Sequence, residues 1–476
     1  MSLSIHQQRR VFLGPPDIGC LLRIIQDANI NKKNSIKPGN LVSFGKPPGY
    51  DIKSIRKDYH KPMIVEELND REIVAVAIGG DCYFALSSGG EVLCFGDKYL
   101  KKYFSRPDHD FVPLLNISEF YPSVYGPNGD KFMTDDHGDI IPFFERETGS
   151  IRAIDSSESH FLALSQLGDV YMLGNEGIVP TPPIDDIRNP RGLRPRKSCY
   201  VWPVHIYQLP NRAIDISAGG TFSAAILEDN TLYTWGWFTR CQAINVKNGK
   251  KTEFLPKPEP VRWTRPLFKR IVLGVSCGWN HMLVLAHDET RNGVSTYSCG
   301  QNDFGQLGHG DQENRNELEE VRKLCSDEIR MKLINPSPHR SRRKIKALQQ
   351  DDIITVEAGW KKSLFLESSG KKLYGCGMNM QNNLDHSTIP IRLHLVEGGI
   401  AEKDQPKICQ FSVYKQILVL TESGEIYSWG PNKWGVCGHE ADNMNHRPFR
   451  TKPTKIDTTH KFKLVVAGKG VSLGIV

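Results

Sequence analysis

The residues best suited to chemistry in this sequence are cationic. The stretch HRSRRKIK gathers Arg340, Arg342, Arg343, Lys344 and Lys346 within eight positions. A planar guanidinium binds phosphate or carboxylate in a bidentate fashion, so this run is a candidate contact for an acidic protein surface, a nucleic-acid backbone or a nuclear import receptor. A solvated charged loop is the alternative reading. Arg191, Arg194, Arg196 and Lys197 form a second cluster with the same two readings. FMTDDHGD brings together Asp135, Asp136, His137 and Asp139, ligands for a hard cation, but not at the spacing of an EF-hand, and it reads as a solvated loop. His160 and His281 could be paired as acid and base, yet they occupy equivalent places in different copies of a repeat, which assigns them structural roles in turns. GNEG and CGQNDFGQLGHG lack the Gly-Lys-Ser/Thr ending of a phosphate loop. No catalytic residue, metal ligand or cofactor is expected.

The bulk composition frames what must position these groups. The chain has 476 residues, 39% hydrophobic and 24% charged, with net charge +7, enough apolar material for a large core and a mild attraction for acidic surfaces. Forty-two Gly and 29 Pro spread along the chain point to many short strands and turns. No apolar run approaches the roughly 20 residues that span a bilayer. The 11 Cys form no C-x-x-C pair; Cys94, Cys299 and Cys376 lie in apolar strand-like runs that end at a Gly and read as buried thiols of a reducing compartment, cytoplasmic or nuclear. The first residues lack a secretory signal. Arg9 and Arg10 suggest a mitochondrial presequence, against which Asp17 and Asp27 weigh, and positions 18–28 read as a short amphipathic helix.

A repeat sets the architecture. Each unit has an apolar strand ending in a small-residue turn, a second apolar strand, a Gly/Ser/Asp turn, and a third strand closing on Gly. VSCGWNHMLVLAHDETRNGVSTYSCGQNDFGQLGHGD is the clearest copy. The closing glycines fall at Gly96, Gly174, Gly236, Gly300, Gly377 and Gly430. A seventh copy is divided, with KLVVAGKGVSLGIV supplying two strands and GNLVSFG, ending at Gly45, the third. Joining them closes a ring that would otherwise present open strand edges. Residues 39–476 thus read as one seven-bladed, all-β propeller behind an extension at 1–38, with insertions at about 97–150, 175–212 and 311–352. KPMIVEEL, WPVHIYQL, EPVRWT, IPIRLHLV and KPTKI read as outer strands, where Pro is tolerated because outward N–H groups have no ladder partner. Trp235, Phe95, Tyr427 and Trp429 read as fillers between blades.

CGWNHMLVL at 277–285 and NDFGQLGHG at 302–310, with the divided blade, resemble the regulator-of-chromosome-condensation repeat, and the resemblance covers roughly 39–476. The repeat's His survives only as His160 and His281; Cys82, Phe222, Lys362, Gln416 and Val471 stand in the other places, and G-Q-L-G has only a partial echo in WGVCG. This looks like a divergent member. The resemblance implies protein partners, with two functions to weigh. One is a non-catalytic scaffold or subunit of a larger assembly. The other is a guanine-nucleotide exchange factor for a Ran-like small GTPase, associated with chromatin, acting through one propeller face and a β-wedge. A wedge is expected after Gly174, where NEGIVPTPPIDDIRNPRGLRPRKSCY offers no residue-by-residue match, so no exchange residue is carried over. Degenerate repeats and long dissimilar insertions favour the scaffold, with HRSRRKIK as its leading contact and Arg194, Arg196 and Lys197 as the second. An enzyme working in the propeller channel is disfavoured by the lack of a paired-carboxylate or metal-ligand constellation.

Overall fold

A computed structural model describes residues 38–45, 60–69, 71–80, 82–90, 92–96, 112–115, 151–174, 204–205, 209–238, 246–247, 250–251, 254–261, 263, 270–288, 293–321, 353–381, 385–393, 395, 405–440 and 449–476. Short apolar runs separated by Gly-rich turns fold here into seven four-stranded antiparallel sheets. Blade 1 comprises Ile73–Gly79, Cys82–Ser87, Val92–Gly96 and Val112–Leu115. Blade 2 comprises Ile151–Ser156, His160–Ser165, Val170–Gly174 and Val204–His205. Blade 3 is Ala213–Ala218, Phe222–Leu227, Leu232–Trp237 and Phe254–Pro260. Blade 4 is Arg270–Cys277, His281–Asp288, Gly293–Gly300 and Arg315–Glu320. Blade 5 is Ile353–Ala358, Lys362–Glu367, Leu373–Gln381 and Asp385–Leu393. Blade 6 is Ile408–Val413, Ile417–Thr421, Ile426–Pro431 and Phe449–Lys455.

The seventh blade is built from the two distant parts of the chain. Leu464–Ala467 and Val471–Ile475 supply its inner strands; Leu41–Gly45 and Met63–Ile64 supply the outer ones. Leu41–Gly45 pairs along its whole length with Val471–Ile475, from Leu41 opposite Ile475 to Gly45 opposite Val471. Gly39 continues the seam by exchanging backbone hydrogen bonds of 3.0 and 3.2 Å with Ile73 of blade 1.

Among the described residues the core is divided rather than central. Seven clusters of buried side chains occupy the seven interfaces between adjacent blades. The second strand of each blade therefore buries both of its faces. In Phe222–Leu227, for example, Phe222, Ala224 and Ile226 pack toward blade 4 while Ala225 and Leu227 pack toward blade 2. This explains runs that are continuously apolar instead of alternating. Trp235 and Trp429 are fully buried fillers, and Tyr427 packs half-buried against the interface of blades 5 and 6.

The closing glycines have a geometric cause. Gly236, Gly300, Gly377 and Gly430 lie at register shifts between the third and fourth strands with φ of 103°, 112°, 102° and 115°. A bulge at this point increases strand twist. A Cβ on Gly377 would stand 2.4 Å from the Lys361 carbonyl oxygen, so only Gly fits. In blade 3 the outer strand is Phe254–Pro260, ahead of most of EPVRWT. Outer strands Val112–Leu115 and Arg315–Glu320 fall within stretches read from the sequence as insertions.

Candidate functional site

The first strand of each blade lines the axis and sets the geometry of its mouth. Around five successive interfaces a polar side chain on one first strand accepts a backbone N–H from the next. Asp155 accepts from Ala218, Ser217 from Cys277, Ser276 from Ala358, Glu357 from Val413 and Ser412 from Ala467, at 2.9 to 3.1 Å. The turns beyond these strands also touch one another. Gly220 N donates to Gly278 O at 3.1 Å, Trp279 N to Gly359 O at 3.1 Å and Trp360 N to Tyr414 O at 3.3 Å. Glycines make this approach feasible: a Cβ on Gly220 would lie 2.2 Å from the Trp279 carbonyl oxygen. The channel, partly open to solvent, holds about 170 Å³ and is lined by the charged Asp155, Glu158, Glu357 and Lys469, the rings of Trp279, Trp360 and Tyr414, and small or aliphatic side chains.

Behind the mouth, the residue at the start of the second strand in blades 2, 4 and 6 reaches across to the next blade. His160 Nε2 pairs with Ser223 Oγ at 2.9 Å and His281 Nε2 with Ser363 Oγ at 3.0 Å. Gln416 fills the equivalent place in blade 6, donating to Gly468 O at 2.9 Å and to Ser472 Oγ at 3.3 Å. The two histidines thus sit in different blades as latches between sheets. Burial pushes both imidazoles down to about 4. Lys362, also latch-positioned and buried, is pushed down to about 8 by burial, against the opposing pull of Cys437.

Aromatic and cationic side chains meet at the mouth. Lys361 Nζ stands 4.1 Å from the Phe304 ring centre and 4.7 Å from that of Trp360. Lys415 Nζ lies 4.2 Å from the same Trp360 ring and 5.7 Å from Tyr414. Lys433 lies 5.1 Å from Trp434. These ammonium groups sit over ring faces, where the aromatic quadrupole attracts a cation. Across the mouth, Glu158 accepts the Tyr414 hydroxyl and faces Lys469 at 3.8 Å. Phe304 and Trp434 belong to matching loops of blades 4 and 6. Asn302 and Asn432 each accept a backbone N–H five residues on, from Leu307 at 2.9 Å and Cys437 at 3.0 Å. WGVCG is therefore a structural counterpart of FGQLG. Trp434 takes φ of 68°, a left-handed conformation that is rare for so bulky a residue and that clusters at functional sites.

Both kinds of loop, and every first-to-second turn, leave from the same end of the strands because each sheet is an antiparallel meander. The arc thus occupies one face of the ring. The sequence-based candidates Arg340, Arg342, Arg343, Lys344, Lys346, Arg191, Arg194, Arg196 and Lys197 lie outside the described residues, as do Asp135, Asp136, His137 and Asp139. The strand ends flanking the two basic stretches are described, and they are on opposite faces: Gly174 and Val204 on the arc's face, Glu320 and Ile353 on the other.

The Regulator of chromosome condensation (RCC1) repeat family matches residues 295–366 and 423–475, and a second family of the same description matches 213–240. The chain carries regulator-of-chromosome-condensation repeats in these stretches of its propeller. This RCC1-repeat propeller is 26% identical over 392 residues to the Ultraviolet-B receptor UVR8 of Arabidopsis thaliana, covering 80% of this chain and 70% of that protein. It is 25% identical over 238 residues to the Secretion-regulating guanine nucleotide exchange factor of Bos taurus, covering 48% of this chain and 42% of the relative, so the match spans less than half of the exchange factor. Its fold matches Prp20p of Saccharomyces cerevisiae, a protein with described binding to Gsp1p and histones, at TM-score 0.64 and 17% identity over 94% of each chain. Among the described residues of the RCC1-repeat propeller, no helix is long and apolar enough to cross a membrane. Sequence reasoning overlooked its aromatic arc, although GWKK, VYKQ and NKWG each set Lys beside an aromatic at a turn.

Proposed function

We propose that this propeller is a non-catalytic interaction module, a scaffold or subunit of a larger assembly, whose partner docks on the face carrying the channel mouth. The observation that carries this reading is the arc of half-buried rings and ammonium groups on one rigid face. Aromatic side chains are enriched at interfaces, where they bury large area at low conformational cost. The basic segment with Arg340, Arg342, Arg343, Lys344 and Lys346, and that with Arg194, Arg196 and Lys197, are proposed as accessory contacts.

Affinity purification from cells of the source organism, analysed by size and mass spectrometry, tests the reading. A stoichiometric partner is expected, lost from a folded Trp360→Ala/Trp434→Ala protein and weakened in Arg340→Glu/Arg343→Glu. Recovery of the wild-type chain alone would overturn it. The similarity to an exchange factor and the fold shared with Prp20p support a second reading, exchange on a Ran-like small GTPase, for which release of labelled GDP is the assay. Acceleration by substoichiometric propeller would replace the scaffold reading.

A further inference from the structure

We propose that the arc at the channel mouth receives an acidic segment of a partner protein, laid across blades 4 to 6 with its carboxylates against Lys361, Lys415 and Lys433. This rests on the reading of that face as the docking surface and adds the chemistry of what docks there.

Charge supplies the first argument. Elsewhere on the ring, several cations are matched with carboxylates: Arg315 binds Asp311 and Glu319 at 2.7 Å, Lys455 binds Glu425 at 2.8 Å, and Lys407 binds Glu422. Lys361, Lys415 and Lys433 make no ion pair among the described residues; their ammonium groups rest against aromatic rings. Three ammonium groups are thus gathered on one face with no carboxylate at ion-pair distance from any of them among the described residues. Their contact with rings limits the rotamers they must give up when a carboxylate arrives, which lowers the entropic cost of binding.

The arc also has a direction. Blades 5 and 6 present Trp360-Lys361 and Tyr414-Lys415 at equivalent turns, whereas blade 2 presents Glu158 and blade 3 presents Gly220 and Thr221. Glu158, held by Tyr414 and Lys469, repels a second carboxylate and confines an acidic segment to the side of blades 4 to 6. On that side Trp434, left-handed at φ 68°, stands next to Lys433. A single-stranded nucleic acid fits less well. Base stacking needs vacant ring faces, and Trp360 is already engaged by two ammonium groups. A carboxylate meets those ammonium groups without displacing them from the ring.

Fluorescence anisotropy with the whole chain tests this, using as probes a labelled Glu-Gly repeat peptide and an oligodeoxythymidine of equal net charge. At low salt the peptide is expected to bind more tightly than the oligonucleotide and to quench tryptophan emission. Lys361→Gln/Lys415→Gln should weaken it about tenfold. Trp360→Leu, which keeps the lysines and removes the indole, should weaken it about threefold. Thermal melts confirm that each variant is folded, and Lys433→Gln serves if the double variant is not. Peptide affinity unchanged in the lysine variants, absent binding, or preference for the oligonucleotide would each overturn the acidic segment. So would a concentration-dependent dimer in sedimentation that the same substitutions abolish, since a second copy would then be the occupant. If the native partner still depends on Trp360 and Trp434 while the peptide does not bind, the docking face stands and this inference alone falls.

Discussion

Each latch histidine joins two sheets that have no backbone hydrogen bonds between their second strands. His281→Ala leaves Ser363 without that partner and should cost about 1–3 kcal/mol at neutral pH. The pH dependence has a definite sign. Above pH 6.5 both folded and unfolded chains hold neutral imidazoles; between pH 6.5 and about 4 the unfolded chain takes up protons that the folded one refuses, so stability falls with acidity. Each imidazole contributes on the order of 1.4 kcal/mol per pH unit over that window. Urea unfolding at pH 7 and pH 5 should show His281→Ala less stable at pH 7 and with a shallower acid loss than wild type. Equal acid losses would remove the histidine from the account. The sequence exposed these two latches because the residue type repeats, but hid the others. Gln416 holds the same place with an amide, and Lys362 with a buried amine. A position defined by where it reaches, and not by one chemistry, leaves no repeating letter.

At the level of strands, the closing glycines were the most legible feature, because a bulge with positive φ beside a neighbouring carbonyl admits no side chain. Two glycines separate the causes. Gly377→Ala meets both the left-handed backbone and the Lys361 carbonyl, whereas Gly470, at φ of 77°, has nothing within 4 Å of an added Cβ. Gly470→Ala should cost about 1 kcal/mol, the backbone term alone, and Gly377→Ala distinctly more, about 2–4 kcal/mol. Thermal melts of the two proteins provide the comparison, and equal losses would mean that steric approach plays no part. Outer strands were less legible. Their burial is partial and their Pro residues signal an edge without fixing where pairing begins, so the blade 3 strand starts at Phe254, ahead of the expected segment. The aromatic arc was missed for a related reason: Trp360 and Lys361 read singly as a turn, and only the neighbouring blades make them a cluster.

For the whole ring, stability is shared among seven interfaces, and two of them, those flanking blade 7, combine chain segments far apart in sequence. Removing residues 469–476 deletes the ladder partner of Leu41–Gly45 and exposes strand edges in blade 7. The shortened protein should aggregate, or melt far below the intact one, by gel filtration and calorimetry; an unchanged melting temperature would refute closure by this blade. Seven blades and a divided seventh were legible from the count of closing glycines, since ring closure leaves few alternatives. The pairing of Leu41–Gly45 with Val471–Ile475 also carries a timing problem for the cell. Ribosomes add about 5–20 residues per second, so the early apolar strand LVSFG waits through about 430 residues, on the order of 20–90 s, before its partner is made. During that interval blade 1 has formed beside an empty place, and a newly made chain must be shielded by chaperones, or outrun its own aggregation, until the last strand arrives.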